Sequence, residues 1–183
     1  MILRTIELAT PRLRLRRFRN DDYIRAYDNW MSDPDVTHFL SWDTHPDREH
    51  SREVIDAWIS EYGCGSMDWC IALPDTDEPI GSITAVRDHP DEGWCELGYC
   101  LSQRYWDMGL MSEALRAITR FIFDYTDYDW IQARFDTENE ASGRCLEKCN
   151  YRVAGERVLP DPKTGRQRTY RFMVIRREDV FLL

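Results

Sequence analysis

The hydrophobic pattern changes its period in the middle of the chain. Alternating and aromatic residues from Trp94 to Leu101 predict a β-strand. From Gly109 onward, apolar residues recur at the spacing of one helix face, at Leu110, Ala114, Ile118, Phe121, Ile122 and Tyr125. The sequence therefore predicts a strand, a tight turn and a helix in direct succession.

Further elements are predicted on both sides of this junction. Residues 10–18 alternate apolar and basic side chains, which predicts a strand with Leu13, Leu15 and Phe18 inward and its Arg side chains in solvent. Gly63 is the predicted stop of the second helix. The other predicted elements are helices over 20–31 and 47–62, strands over 69–73, 80–87 and 130–135, a helix over 139–149, and a hairpin of 151–158 with 168–175.

Length and composition predict one globular domain. The 183 residues can bury a single core, and 43% of them are hydrophobic, which argues against disorder. No apolar run approaches the roughly 18 residues of a membrane span, and the basic segment 1–19 lacks the apolar core of an export signal. We therefore expect no membrane contact and a cytoplasmic location.

The net charge of −9 bears on the class of partner. It argues against nucleic acid, which needs a basic surface, and it suits a cationic substrate. Helix caps and solvated helix faces account for at least half of the acidic residues in the first third. These residues are Asp21, Asp22, Asp28, Asp33, Asp35, Asp43, Asp47, Glu49, Glu53 and Asp56.

The six cysteines are interpreted as free thiols, because the chain shows no export signal. Cys145 and Cys149 are four residues apart on a predicted helix, where they could present two metal ligands. No His or second Cys pair follows at zinc-like spacing, so we predict no metal site. Nothing in the local sequence marks a base beside a cysteine, so a catalytic thiol is not predicted either.

The turn between the central strand and helix has the properties of an anion site. The first N–H groups of a helix have no partner within it, and they point outward with the positive end of the helix dipole. Gly109 would let the backbone approach an anion closely. The turn contains no Lys, and no Gly-x-Gly-x-x-Gly run occurs, so nucleotide-hydrolase and dinucleotide fingerprints are excluded. A phosphate cradle of backbone amides and an ordinary strand-to-helix turn remain.

At this stretch the chain resembles the GNAT superfamily of acyl-CoA-dependent N-acetyltransferases, in particular its RimJ/RimL-like branch. That branch has a strand of the type Glu-x-Gly-Tyr, then Tyr-Trp-Gly-x-Gly-Tyr-Ala/Met-x-Glu-Ala. Asp107 departs from the family pattern, since Gly is common at that position. The matching residues are Glu96-Leu97-Gly98-Tyr99 and Tyr105-Trp106-Asp107-Met108-Gly109-Leu110-Met111-Ser112-Glu113-Ala114.

A second motif and the order of elements extend the resemblance over residues 8–177, as one domain. Asn139-Glu140-Ala141-Ser142 and the run from Cys145 to Tyr151 are similar to the family's Asn-x-x-Ser…Glu-Lys-x-Gly-Phe. Asn150 replaces Gly, and Asn is the next best residue for a left-handed helix stop. The resemblance implies an α/β fold, with a mixed, mainly antiparallel sheet flanked by helices.

The resemblance also implies the site residues and their roles. The backbone around Tyr99 to Leu101 would be free to bind the pantetheine arm of acetyl-CoA, and the turn would bind its pyrophosphate. Helix capping by Asn139 with an exposed Ser142 is the alternative for those two residues. The implied coenzyme-binding residues are Tyr99, Cys100, Leu101, Trp106, Met108, Gly109, Leu110, Met111, Ser112, Asn139 and Ser142.

The implied activity is acetyl transfer from acetyl-CoA to a primary amine, by direct attack in a ternary complex. Glu96 is the candidate base and Ser142 the candidate acid; a structural or substrate-orienting carboxylate is the alternative for Glu96. Phe39, Trp42 and Glu96 are the candidate acceptor-binding residues. The acceptor is a protein N-terminal amine or a small cationic amine.

Two other functions stay open: a non-catalytic acyl-CoA-binding or regulatory protein, in which Asp107 marks decay of the turn, and an acyltransferase for longer acyl groups. The sequence does not decide which amine is the acceptor, which acyl chain is preferred, or how Asp107 affects coenzyme binding. It also leaves the oligomeric state open, and a homodimer is one option.

Overall fold

An eight-stranded sheet organises the structure, a computed structural model that describes residues 5–62 and 67–182. Most neighbouring strands run antiparallel, and β5 with β6 is a parallel pair. The order across the sheet is β1-β2-β3-β4-β5-β6-β8-β7. The strands are β1 Leu8–Ala9, β2 Arg14–Arg16, β3 Asp68–Ala72, β4 Pro79–His89, β5 Trp94–Leu101, β6 Trp130–Asp136, β7 Arg152–Pro160 and β8 Gln167–Arg176.

The helices fall close to their predicted positions, and the predicted fold class is confirmed. The sequence pattern missed the short β1 and α2, as well as the π-helical end of the first helix. The predicted stop at Gly63 lies outside the described residues. The helices are α1 Asp22–Ala26, continued by a π-helix Tyr27–Met31, then α2 Pro34–Thr37, α3 Arg48–Glu61, α4 Leu110–Tyr125 and α5 Glu140–Lys148. Within residues 67–182, 3₁₀ segments span Pro90–Glu92, Gln103–Tyr105 and Arg177–Leu182.

The described residues group into two compact units. The first comprises the described residues up to Thr84 together with Tyr99–Leu110, and the second Ala85–Gly98 together with the described residues from Met111 onward. The single domain over 8–177 stays a prediction. None of the helices formed by residues 5–62 and 67–182 combines the length and the apolarity that crossing a membrane requires.

The core of the first unit includes the inward side of the first predicted strand. Leu13, Leu15 and Phe18 are all buried, as the alternating pattern predicts. Phe18 joins a cluster on which Trp42 and Trp58 also pack. The buried members of that cluster are Phe18, Ala26, Trp30, Met31, Val36, Ile55, Cys70, Ala72 and Cys100.

Arg16 corrects the prediction that the arginines of this strand are solvated. It is only 2% exposed. Its guanidinium donates to the Asp22 carboxylate at 2.7 and 2.9 Å and to Asp77 Oδ1 at 2.9 Å. Burial alone would lower the pKa of Arg16, but the two carboxylates raise it above its ordinary value. The buried charge is therefore paired, with partners 6 and 61 residues away in sequence.

The apolar face of α4 is buried at the predicted positions except the last. Ala114, Ile118 and Ile122 are completely buried, whereas Tyr125 is 56% exposed. The face ends one turn before the helix does. Thr119 Oγ1 lies 2.8 Å from the hydroxyl of Tyr151, so the buried hydroxyl groups on this side are paired.

Two cysteines of α5 meet the first turn of α4 in the second unit. Cys145 Sγ lies 3.4 Å from Ser112 Oγ, and Cys149 donates from Sγ to the Ser112 carbonyl oxygen, also at 3.4 Å. Hydrogen bonding from Cys149 and Ser112 lowers the pKa of Cys145, since both stabilise its thiolate. Burial raises the pKa of Cys100 to about 11. Among the described cysteines, only Cys145 is not fully buried.

The pairing of Arg16 predicts a large effect of losing one partner. Asp22→Ala should lower the free energy of unfolding by about 3–5 kcal/mol, because it leaves a buried guanidinium short of countercharge. Urea denaturation measures the change. Arg14→Ala is the control: its partly exposed guanidinium bonds Glu7 and Asp77 and should contribute no more than about 1 kcal/mol. An Asp22→Ala protein as stable as Arg14→Ala would contradict this.

The lowered pKa of Cys145 predicts selective alkylation. Its thiolate fraction at neutral pH should exceed that of an ordinary thiol, whose pKa is about 8.5, so iodoacetamide should modify Cys145 well before Cys100. Peptide mass spectrometry after timed quenching measures the rate at each cysteine as a function of pH. Cys149→Ser keeps a donor beside Cys145 and serves as the control. Equal rates at Cys145 and Cys100 would refute the prediction.

Candidate functional site

The connection from β5 to α4 is a tight turn with two residues in left-handed conformation. The residues are Asp107, with φ of 58°, and Gly109, with φ of 74°. A left-handed residue at position 107 explains why the resembling family favours Gly there, since Gly adopts positive φ without steric cost. Asp is among the few other residues that tolerate it, so the turn forms despite the substitution.

Trp106 braces this turn against the end of β5. Its indole Nε1 donates to the carbonyl oxygen of Leu101 at 2.8 Å, while 43% of the side chain stays exposed. The Leu101 carbonyl, part of the backbone expected to bind the pantetheine arm, therefore accepts one hydrogen bond from within the turn and keeps a second lone pair. The coenzyme contact of Tyr99 to Leu101 stays a prediction.

Arg12 is a residue at this turn that the sequence analysis assigned to solvent. Its Nη1 donates to the carbonyl oxygen of Met108 at 2.9 Å. A Cβ built on Gly109 would lie 3.6 Å from Arg12 Nη2. Because 96 residues separate Arg12 from Met108, no local pattern could have indicated the contact.

The predicted coenzyme residues differ in how they present their side chains. Cys100, Leu101, Leu110 and Ser112 are buried, so their side chains present little surface to a ligand. Cys100 Sγ lies 3.3 Å from Ser82 Oγ. Tyr99 and Met111 are half-buried, whereas Met108 is 54% exposed. The contact between an anion and the main-chain N–H groups of this turn stays a prediction.

Ser102 opens the turn with an unsatisfied hydroxyl. The residue is 1% exposed, and its Oγ has no hydrogen-bond partner among the described residues. Its backbone is fully engaged, because N–H donates to Ile80 and the carbonyl accepts from Tyr105. Buried polar atoms are normally paired, so an orphan hydroxyl here fits a site that a polar ligand completes.

Asn139 and Ser142 form the N-terminal cap of α5. Asn139 Oδ1 accepts a hydrogen bond from the backbone N–H of Ser142 at 3.2 Å. The capping role considered from the sequence is therefore present. Ser142 is half-buried rather than exposed. The coenzyme contact of Asn139 and the acid role of Ser142 stay predictions.

Glu96 is a buried carboxylate with both oxygens engaged. It is 2% exposed, Oε2 accepts from Gln132 Nε2 at 2.5 Å, and Oε1 lies 3.2 Å from Arg134 Nε. The parallel pairing of β5 with β6 covers 94–96 with 130–132, so Glu96 and Gln132 are the last pair of that register. A carboxylate held by an ion pair and an amide is well placed to orient other groups.

In the second unit, a cavity of about 120 Å³ lies next to Gln132, the residue that donates a hydrogen bond to Glu96. Gln132 lines it together with Glu156 and Arg157, which come from β7, and with Phe172 from β8. Glu156 is also paired with Arg171 at 2.7 Å. The cavity therefore joins polar groups to one aromatic ring.

Phe39 and Trp42, the predicted acceptor residues, lie between α2 and α3 in the first unit. Both are half-buried. Phe39 packs edge-on against His38, with ring centroids 4.5 Å apart, and Trp42 packs on the core cluster and on His45 at 5.1 Å. Trp42 therefore has a structural role whatever it binds.

Several acidic residues of the first third have structural partners. Asp22 pairs with Arg16 and Asp28 with Arg48. Asp33 and Asp47 cap α2 and α3. The two caps agree with the sequence analysis, which expected helix caps and solvated helix faces, whereas the ion pairs of Asp22 and Asp28 were not predicted. No group of three or more His, Cys, Asp or Glu side chains in the described part of the chain is arranged to hold a metal ion.

Comparison with known proteins gives a family match and close relatives. The Acetyltransferase (GNAT) domain model matches residues 12–152. The uncharacterized N-acetyltransferase p20 of Bacillus licheniformis is 28% identical over 176 residues, which are 93% of this chain and 97% of that protein. The ribosomal protein uS5-alanine N-acetyltransferase of Escherichia coli strain K12 is 27% identical over 164 residues, covering 82% and 80% respectively.

A solved structure shares the fold. RimL, a ribosomal L7/L12 alpha-N-protein acetyltransferase in complex with coenzyme A, matches with a TM-score of 0.81 and 15% identity, over 93% of this chain and 98% of that one. The RimJ/RimL-like resemblance and the predicted enzyme class, an acetyl-CoA-dependent acyltransferase, are confirmed. Since the family model covers most of its length, this chain belongs to the GNAT acetyltransferase family.

Proposed function

We propose that the protein transfers the acetyl group of acetyl-CoA to a primary amine, by direct attack within a ternary complex. The observation that carries this proposal is the turn into α4, where Asp107 and Gly109 adopt left-handed conformations at the start of a 16-residue helix. That turn is intact although Asp replaces the common Gly. The alternative of a non-catalytic acyl-CoA-binding protein, which depended on decay of this turn, therefore loses its main support.

Acetyl-CoA would be held chiefly by backbone groups. The N–H groups of residues 109–112 and the positive end of the α4 dipole would bind the pyrophosphate. The pantetheine arm would follow the backbone from Tyr99 to Leu101, where the Leu101 carbonyl oxygen keeps a second lone pair beside its bond from Trp106. Two features fit such a ligand: the unpaired, buried Ser102 hydroxyl, and a Gly109 without the side chain that would stand in front of its N–H.

Acetyl transfer needs a neutral amine, a polarised thioester carbonyl and a proton for the departing thiolate. The amine nitrogen attacks the carbonyl carbon, the carbon–sulfur bond breaks, and the amine loses one proton. Ser142 is the proposed donor to the leaving sulfur. Its hydroxyl projects from the first turn of α5, where the Asn139 cap fixes the backbone.

We assign Glu96 an orienting role in preference to direct proton abstraction. The sequence left both open. Arg134 and Gln132 contact both oxygens of Glu96 and fix the orientation of the carboxylate, which suits a group that positions its neighbours. The carboxylate would instead position Gln132 at the wall of the adjacent cavity. A water or a backbone carbonyl would then accept the proton.

The proposal also covers the chemical class of the acceptor amine. The uS5-alanine N-acetyltransferase of Escherichia coli acts, by its name, on an alanine of a ribosomal protein. We propose an amine of the same kind, a protein N-terminus or a small cationic amine, with Phe39 and Trp42 contributing to its binding and the cytoplasm as the location. The chain's net charge of −9 favours such cationic acceptors.

The deciding experiment is a turnover screen with acetyl-CoA against N-terminal peptides, small cationic amines and neutral amines. Gly109→Val should weaken acetyl-CoA binding at least about tenfold, because a β-branched residue at φ of 74° distorts the turn. Gly165→Val is the matched control. Its φ is 70°, and a Cβ there meets open space in the β7–β8 turn, so it introduces the same strain away from the site.

Two outcomes would count against the proposal. One is the absence of turnover on every amine together with an unchanged melting temperature in saturating acetyl-CoA. The other is equal acetyl-CoA affinity in the two glycine variants, which would place the coenzyme elsewhere.

The role of Glu96 predicts a particular pH profile. Glu96→Gln should lower kcat/KM about tenfold or more at every pH, because it releases Arg134 and Gln132 from their shared partner. If Glu96 were the base, activity would recover at high pH, where the amine is already neutral. The pH dependence of kcat/KM with an amine of high pKa separates the two. Ser142→Ala is the companion variant, whose loss should shrink with a donor that has a more acidic thiol.

A further inference from the structure

The last two strands carry positive charge in a chain that is acidic as a whole. β7 and β8 together contain five arginines and one carboxylate, that of Glu156, whereas the net charge of the chain is −9. Glu156 pairs with Arg171 at 2.7 Å, and Arg168 pairs with Asp136 and Asp161. The two strands therefore present more guanidinium groups than carboxylates, which favours an anionic ligand.

Arg157 is the arginine of these strands that lines the cavity beside Gln132. Its side chain is exposed, and its guanidinium carbon lies 5.3 Å from the centre of the Phe172 ring. Among residues 5–62 and 67–182, no carboxylate forms an ion pair with Arg157. Stacking on a ring occupies the face of a guanidinium and leaves the N–H groups at its edge for a planar anion.

The backbone of β7 provides the space for such a ligand. The register of β7 on β8 shifts between Val153 and Gly155, which marks a β-bulge next to the cavity. A Cβ built on Gly155 would meet no atom within 4 Å. The cavity volume of about 120 Å³ exceeds what one water molecule needs, so the carboxylate end of an Asp or Glu side chain fits there.

The cavity also adjoins the carboxylate to which the orienting role is assigned. Gln132 lines the cavity and donates from Nε2 to Glu96 Oε2 at 2.5 Å. A ligand in the cavity is therefore one side chain away from Glu96. The amide of Gln132 has a second N–H group, which can donate to a bound carboxylate beside the donors of Arg157.

We propose that this cavity binds a carboxylate of the acceptor, with Arg157 as its charged ligand and Gln132 as a second donor. The proposal rests on the proposed function, because it names the substrate class of the same reaction: an N-terminal amine that is followed closely by Asp or Glu. An arginine binds a carboxylate through two parallel hydrogen bonds. The contact is the same before and during acetyl transfer, so it should lower KM and leave kcat unchanged.

The test compares acetylation of matched peptide amides that begin with Ala and carry Glu, Gln or Lys at the second or third position. Wild type should show a kcat/KM about ten- to a hundredfold higher for a Glu peptide than for its Gln counterpart, the range of a charged hydrogen bond, with the difference in KM. Arg157→Gln should bring this ratio close to one. Arg157→Glu should reverse the preference, in favour of the Lys peptide.

Arg166→Gln is the matched control, because it removes an exposed arginine from the β7–β8 turn, outside the cavity lining. It should keep the wild-type ratio. Melting temperatures verify that each variant is folded, and a reversed preference in Arg157→Glu itself requires a folded site.

Equal kcat/KM for the Glu and Gln peptides in wild type would overturn the proposal and leave acetyl transfer intact. A preference for Glu that survives Arg157→Gln would overturn it too, since another residue would then read the carboxylate. So would an equal loss of preference in Arg166→Gln, which would trace the effect to net charge. Absence of turnover on every peptide and amine would remove the proposed function, and this proposal with it.

Discussion

The constraint on which the site depends is the path of the backbone from β5 into α4. The chain must end a strand and begin a 16-residue helix with its first N–H groups facing outward, and it does so with left-handed residues at positions 107 and 109. Trp106 donates a hydrogen bond to the Leu101 carbonyl at the start of this path, and Arg12 donates one to the Met108 carbonyl within it. The proposed anion binding depends on this main-chain geometry, which tolerates a range of side chains at the same positions.

The sequence predicted the elements well because their signals are local. The period of apolar residues located β5, α4 and α5, and Asn139 was recognisable as a cap from its position before a helix. Which side chains form ion pairs or hydrogen bonds with each other was not predictable from such local signals. Arg16 was assigned to solvent because alternation places it opposite Leu15, but its environment is decided by Asp77, 61 residues away. Arg12 was missed for the same reason, since only the folded chain brings it to Met108.

Glu96 shows the limit of carrying a residue's role over from a motif. Its position at the end of the β5–β6 pairing is a consequence of the strand register, which sequence can indicate. Its chemistry depends on Gln132 and Arg134, which come from the neighbouring strand and which no motif specifies. The contacts with both neighbours hold the carboxylate in one orientation, which suits the positioning role proposed for it.

Asp107 is informative both as a departure from the family's sequence pattern and as a residue with a left-handed backbone conformation. As a departure from the family pattern it suggested a damaged turn, whereas its backbone conformation shows that Asp meets the steric demand that Gly usually meets. What Asp cannot meet is the electrostatic demand of a phosphate. Asp107 adds a negative charge to the turn while keeping its backbone geometry. The steric requirement of the turn is thus met by its own residues, whereas one of its main-chain carbonyl groups is bound by Arg12, from a distant part of the chain.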